Sequence, residues 1–356
     1  MKKIIFTLLS IAIIFSSCKK DDEPEFDRQA LLDNMATNVI MPYYQTLNSS
    51  LILLHTEATE FVANPNSSTL TDLRVQYLAT NTAYQHCSMY NFGPAMDYGI
   101  KAALNTFPTD SSKIETNISA GTYTVGSLSN TTAIGFPALD YLLYFGTDAE
   151  IITKFTSDSK AANRKNYLTD LTSKMKAEFQ PVLDQWNGTY KTTFIAADGN
   201  DVGSSCSYLL NEFIQDLELL KNARIGIPSG QQTGGATLPQ YVEGYFSNKS
   251  MSFAKDQLDG LKIAFTGGTG IGFDDYIMDV EGEEVTTSLA TNINQQIEIC
   301  FSKMALITNP LSTEVNTNFA AVNTLYLEIK KLLVYCKTDM TSMLGILITY
   351  QDNDGD

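Results

Sequence analysis

Leu168-Thr169-Asp170-Leu171-Thr172-Ser173-Lys174-Met175 runs on through Phe179 to Leu183, and its apolar side chains recur at steps of three and four residues. That spacing matches the 3.6-residue helical turn and puts Leu168, Leu171, Met175, Phe179 and Leu183 on one stripe, so the stretch reads as a helix with a buried face. The same arithmetic holds on the N-terminal side. Leu31, Leu32, Met35, Val39 and Ile40 make a second stripe, and Leu73, Tyr77, Leu78 and Tyr84 a third. Further helices are expected at about 205–224, 284–308 and 312–348. Strand-like alternation is scarce. Gln240–Phe246, with its Tyr and Val, is the best candidate and predicts one arm of a short hairpin near 240–250. The fold class is therefore all-α, helical bundles with a short β-hairpin insertion.

Turn chemistry separates these helices. Asn64-Pro65-Asn66-Ser67-Ser68 ends the first long one, Gly93-Pro94 the second, and Asn309-Pro310 divides the last two, with Ser312 and Thr313 placed as N-caps. Loops are expected at Gly226–Gly235 and over Gly267-Gly268-Thr269-Gly270-Ile271-Gly272. The polar gap around Ala197–Gly203 lies near mid-chain, which predicts two helical-bundle domains, 27–197 and 198–356.

Of 356 residues, 44% are hydrophobic and 18% charged, a balance that excludes a disordered chain and suits a globular one. With 24 Lys and Arg against 40 Asp and Glu, the net charge is −16. Nucleic acid is excluded as a partner, because its phosphates need a basic footprint.

The N-terminus has a different character. Two lysines precede a short apolar run from Ile4 to Phe15, too short to span a bilayer, and Ser16-Ser17-Cys18 follows. This resembles a lipoprotein signal peptide, which makes 1–17 the signal, Cys18 the lipidated residue and 18–26 an acidic tether. The run Lys19-Lys20-Asp21-Asp22-Glu23 resembles the export tag of surface lipoproteins in the Bacteroidetes. An outer-membrane anchor facing outward is the expectation, with a periplasm-facing anchor as the alternative. Cys87, Cys206, Cys300 and Cys336 contain no close pair of the zinc or redox type. Disulfides among them and isolated buried thiols both fit.

The common catalytic motifs fail one by one. The glycine cluster breaks the G-x-G-x-x-G pattern at Phe273. The ending Asp352-Asn353-Asp354-Gly355-Asp356 lacks a calcium loop's first ligand, since that position is Tyr350. Histidine occurs only at 55 and 86. His86 and Cys87 are helix neighbours whose side chains diverge, so they cannot pair as base and nucleophile, and both histidines read as helix residues. The acidic pairs Asp21-Asp22, Asp274-Asp275 and Glu283-Glu284 read as solvated. No catalytic residue is assigned.

Several separate segments, in order, carry a family likeness: Val39-Ile40-Met41-Pro42-Tyr43-Tyr44, Phe92-Gly93-Pro94, Gly135-Phe136-Pro137-Ala138-Leu139-Asp140-Tyr141-Leu142-Leu143-Tyr144-Phe145-Gly146, Glu243-Gly244-Tyr245-Phe246-Ser247-Asn248-Lys249-Ser250, Leu258-Asp259-Gly260-Leu261, and Leu344-Gly345-Ile346-Leu347-Ile348 leading to Asp354-Gly355-Asp356. Together they resemble the imelysin-like family, helical envelope proteins associated with iron acquisition and, in the founding member, with proteolysis. The resemblance implies two bundle domains related by duplication, with a site in the cleft between them.

The family's signature helix reads G-x-H-x-x-E, an imidazole and a carboxylate on one face within reach of one metal ion. Here those positions hold Pro137 and Asp140. Proline has no lone pair for a metal, and a lone carboxylate is a poor site unless others join it. The resemblance therefore implies an acidic ligand-binding cleft of Asp140, Tyr141, Glu243, Ser247, Asp354 and Asp356, with Asp140 and Glu243 as weak metal ligands for iron, another divalent metal or haem. Asp140 could instead simply cap or hydrogen-bond the packed hairpin. The function it suggests is a non-enzymatic surface lipoprotein of iron or haem acquisition whose partner is an iron or haem receptor or carrier protein. A metallopeptidase and an adhesion scaffold for glycans or host proteins are the rivals.

Overall fold

A computed structural model describes residues 26–283 and 285–350. The signal segment, Cys18, nearly all of the tether, Glu284, Asp354 and Asp356 lie outside the described residues.

The architecture is all-α, as the periodicity requires. Met41–Ala63 packs against both Ser67–Gln85 and Ala161–Gln185, and the stripe from Leu168 to Leu183 is buried between them. The break between the first two helices falls at Asn64-Pro65. Asn66 then caps the next helix, accepting from the backbone N–H of Ser68 (2.8 Å) and Thr69 (3.2 Å). In the second half, Leu289–Met304 packs on Phe319–Val334, and Ser250–Thr266 contacts both Leu289–Met304 and the distant Ser67–Gln85. That last crossing is close. A Cβ on Gly260 would sit 2.9 Å from the backbone of His86, so only glycine lets the helices approach this far. Buried apolar residues from Leu31 to Ile346 form one continuous cluster.

Three stretches wind more loosely, as π-helix: Met35–Ile40, Leu220–Gly226 and Tyr335–Met340; at Trp186–Tyr190 the chain kinks instead, at Gly188, whose ψ of −119° is non-helical. The helix expected over 205–224 therefore runs as α-helix only through Ser205–Leu219. The one expected over 312–348 is split into Leu311–Thr317, Phe319–Val334, Tyr335–Met340 and Thr341–Leu344.

Two local expectations are corrected. No strand occurs among the described residues, and the segment expected as a hairpin arm is a 3-10 turn at Pro239–Tyr241 followed by a tight turn through Asn248. Its alternation arises because Val242 and Glu243 both turn inward while Tyr241 and Tyr245 face out. The helix after Asn309 begins at Leu311 with Pro310 in the cap position, so Ser312 and Thr313 are helical residues, not caps. Glu314 supplies the capping contacts instead, accepting from the backbone N–H (3.1 Å) and side-chain amide (2.7 Å) of Asn309. Cys87, Cys206, Cys300 and Cys336 are all buried and free. Both glycine-rich segments are largely turns, as expected.

Candidate functional site

A pocket of about 520 Å³ opens where the loop around Phe107–Ser111, the start of the Gly135–Tyr144 helix and the turn at Gln240–Phe246 meet. Gly135 seats the helix. It has φ +72°, and a Cβ there would lie 2.2 Å from the carbonyl oxygen of Leu104. Pro137 follows in the first turn, where its missing N–H has no intrahelical partner to lose. One turn later Asp140 is buried against the pocket floor, only 2% exposed.

Asp140 holds the turn that forms the opposite wall. It accepts hydrogen bonds from the backbone N–H of Phe246 (2.8 Å) and of Ser247 (3.2 Å), and from the hydroxyl of Tyr77 (3.3 Å). Burial pushes its carboxyl from the ordinary 3.8 up to about 6, with those donors pulling the other way. Tyr141, next along, faces elsewhere. Its hydroxyl donates to Glu115 (2.8 Å), which also forms a two-pronged pair with the buried Arg164 at 2.8 and 2.7 Å. The Tyr141 ring packs edge-on against Phe246, with centroids 5.1 Å apart.

Glu243 sits at the centre of a second network. Its carboxylate pairs with the guanidinium of Arg224 and accepts from Gln85 (2.9 Å) and Asn105 (2.8 Å). Arg224 donates in turn to Gln85 (2.7 Å) and lies over the ring of Phe107, 5.5 Å from its centroid. Burial raises the Glu243 carboxyl, and the Arg224 charge and the two amides oppose that rise. Four segments far apart in sequence thus meet at one buried ion pair.

Asp140 and Glu243 therefore both line the pocket. Tyr141 and Ser247 stand beside it, bound to Glu115 and to Asp140 respectively, and Asp354 and Asp356 lie outside the described residues. Arg224, Gln85, Asn105 and Tyr77 were not foreseen. Their partners lie 19 to 158 positions away, so no local spacing marks them.

A metal ion does not fit this donor set. Pro137 offers no ligand, both oxygens of Asp140 are engaged by protein donors, and Glu243 faces a guanidinium that would repel a divalent cation. Among the described residues, no group of three or more His, Cys, Asp or Glu side chains could hold a metal. His86, with Nε2 3.3 Å from Asp259, and His55, with Nδ1 3.0 Å from the Thr172 hydroxyl, are both engaged away from the pocket.

The pattern of the whole chain carries the family. The imelysin (peptidase M75) profile matches residues 40–333. The chain belongs to the imelysin family. It is similar to iron-regulated protein A of Synechococcus elongatus, 19% identical over 320 residues, covering 86% of this chain and 82% of that one. Among solved structures it resembles an imelysin-like protein from Psychrobacter arcticum 273-4, with TM-score 0.73 and 20% identity over 91% of this chain and 97% of that one. It also resembles a protein described as an iron-regulated protein A precursor from Parabacteroides distasonis ATCC 8503, with TM-score 0.72 and 16% identity over 92% and 97%. In this imelysin-family chain, the carboxylate of the Gly135–Tyr144 helix is committed to holding a turn.

Proposed function

We propose that this imelysin-family chain is a non-catalytic binding protein of the bacterial envelope that serves iron or haem acquisition by contacting an organic ligand or a carrier or receptor protein at the pocket. One observation carries the reading. Of the three carboxylates that line the pocket, Asp140 and Glu243 are occupied in positioning the Gln240–Ser247 turn, which presents Tyr241 and Tyr245 at 38% and 40% exposure, and Asp110 caps the Ser111–Ala120 helix. Asp140 and Glu243 are thus positioning residues, and the exposed rings make the contact surface. The iron connection comes from the name of the Synechococcus relative.

Calorimetric titration of the protein with ferrous, ferric, zinc and calcium ions and with haem, beside a chelator-controlled proteolysis assay, tests this. The expected result is no stoichiometric binding of the free ions, no chelator-sensitive cleavage, and saturable binding of haem or of an envelope partner that weakens in Tyr245→Ala. Tight metal binding with chelator-sensitive cleavage would restore the peptidase and overturn the proposal.

The Ser- and Thr-rich rim beside Tyr241, which includes Thr109, Ser111 and Thr132, favours a glycan as the alternative occupant, consistent with an adhesion scaffold. A glycan-binding screen that also depends on Tyr245 would select it. Lipidation at Cys18 and exposure on the outer membrane complete the proposal. Labelling with a fatty-acid analogue should disappear in Cys18→Ser, and protease added to intact cells should reach the protein. No helix among the described residues is long and apolar enough to cross a membrane.

A further inference from the structure

The lining of the Asp140 pocket is one-sided in charge. Among the described residues that line it, none is Lys, Arg or His, while Asp110, Asp140 and Glu243 bring three carboxylates. Glu243 is answered from within the wall by Arg224, so that pair presents no net charge. Asp140 is held by neutral donors, the backbone N–H groups of Phe246 and Ser247 and the Tyr77 hydroxyl. Asp110 stands exposed at the rim, accepting from the Lys113 backbone N–H at 2.9 Å while its own N–H donates to the Thr132 carbonyl at 2.7 Å. The potential inside the pocket is therefore negative. Aromatic rings supply the rest of the wall. Tyr245 and Phe246 stand at 87° to one another with centroids 5.1 Å apart, which makes a corner of two rings. Phe246 is fixed there by its N–H bond to Asp140 and by the Tyr141 ring packed edge-on against it, and Tyr245 keeps 40% of its surface exposed. Ring faces carry the negative end of the aromatic quadrupole, so a corner of rings beside carboxylates attracts a cation that also offers apolar or planar surface.

We propose that the Asp140 pocket is a receptor for an organic cation, an alkylammonium or guanidinium group seated at the Tyr245–Phe246 corner with Asp110 at the rim. Two sources supply that chemistry. One is a free amine. The other is a Lys or Arg side chain in a basic segment of a partner protein. At about 520 Å³ the pocket has room for either. The inference rests on the pocket being the binding surface, as proposed above, and adds the chemistry of what enters it.

Calorimetric titration in low salt with choline and with tetra-lysine, and with tetra-glutamate as the anionic control, tests the proposal. The proteins are the parent, Tyr245→Leu, which keeps apolar bulk without the ring, and Asp110→Asn, which keeps a capping oxygen without the charge; circular dichroism checks the helicity of each. Binding of either cation, screened by salt and weakened on the order of tenfold by Tyr245→Leu or by Asp110→Asn, supports the site. Choline binding on its own assigns a free amine, and binding of tetra-lysine alone assigns a partner's basic segment. No binding of either cation overturns the proposal, as does binding that neither substitution weakens or that tetra-glutamate matches. Haem or an envelope partner that binds in a Tyr245-dependent way while neither cation does would leave the function proposed for the pocket standing and remove the cation. Cation binding as expected, together with chelator-sensitive cleavage, would keep the cation site and remove the non-catalytic reading.

Discussion

Replacing Asp140 by asparagine separates the charge of this residue from its shape. Burial pushes the carboxyl up to about 6 in the folded protein, against an ordinary 3.8, outweighing the donors from Ser247, Phe246 and Tyr77 that face it. A raised carboxyl pKa means the folded state holds the proton more tightly than the unfolded one. The associated stability is complete below pH 3.8 and is lost as pH rises through 6. The full difference is about 3 kcal/mol, of which about 2 kcal/mol separates pH 4.5 from pH 7.5. The amide of the variant cannot titrate, so the difference in unfolding free energy between the parent and Asp140→Asn isolates this residue from every other carboxylate. Urea unfolding at the two pH values should show the substitution costing about 2 kcal/mol more at pH 4.5 than at pH 7.5. A cost that is flat with pH, or larger at pH 7.5, would refute the claim that burial dominates at Asp140.

Three other outcomes are expected. Arg224→Met leaves Glu243 buried without its cation and should cost about 3–5 kcal/mol in urea unfolding, a part of which Arg224→Met combined with Glu243→Gln recovers. Gly135→Ala forces a side chain into positive φ and against the Leu104 carbonyl, and should lower stability by about 3 kcal/mol or more while also loosening the pocket wall. Cys87, Cys206, Cys300 and Cys336 should resist a thiol reagent in the native protein and react on unfolding, as read by mass spectrometry. Burial raises all four thiols, those of Cys206 and Cys300 to about 12.

The helices were legible because their apolar stripes obey one period. Leu168 to Leu183 and Leu31 to Ile40 are buried as that period requires, and Asn64-Pro65 and Asn309-Pro310 break the chain where their chemistry dictates. The π-helical stretches were not legible, since a wider turn such as Leu220–Gly226 blurs the stripe without adding a residue type of its own. The turn after Pro239 was misread because Tyr and Val mimic strand alternation while the backbone curls under Asp140. Within the site, Asp140 and Glu243 stood out through their place in a known pattern. What neutralises Glu243 did not, because Arg224, Gln85 and Asn105 are brought to it only by tertiary packing. Ser312 and Thr313 show a smaller version of the same limit, in which two good capping residues were bypassed by Pro310 and Glu314.

The engagement of both Asp140 oxygens sets how many changes a metal site at this helix would need. A histidine placed at position 137 would supply one ligand but free no carboxylate, because Asp140 still carries the turn and Glu243 still answers Arg224. A metal site at this helix would need three changes at once: the turn released from Asp140, the guanidinium removed from Glu243 and an imidazole supplied.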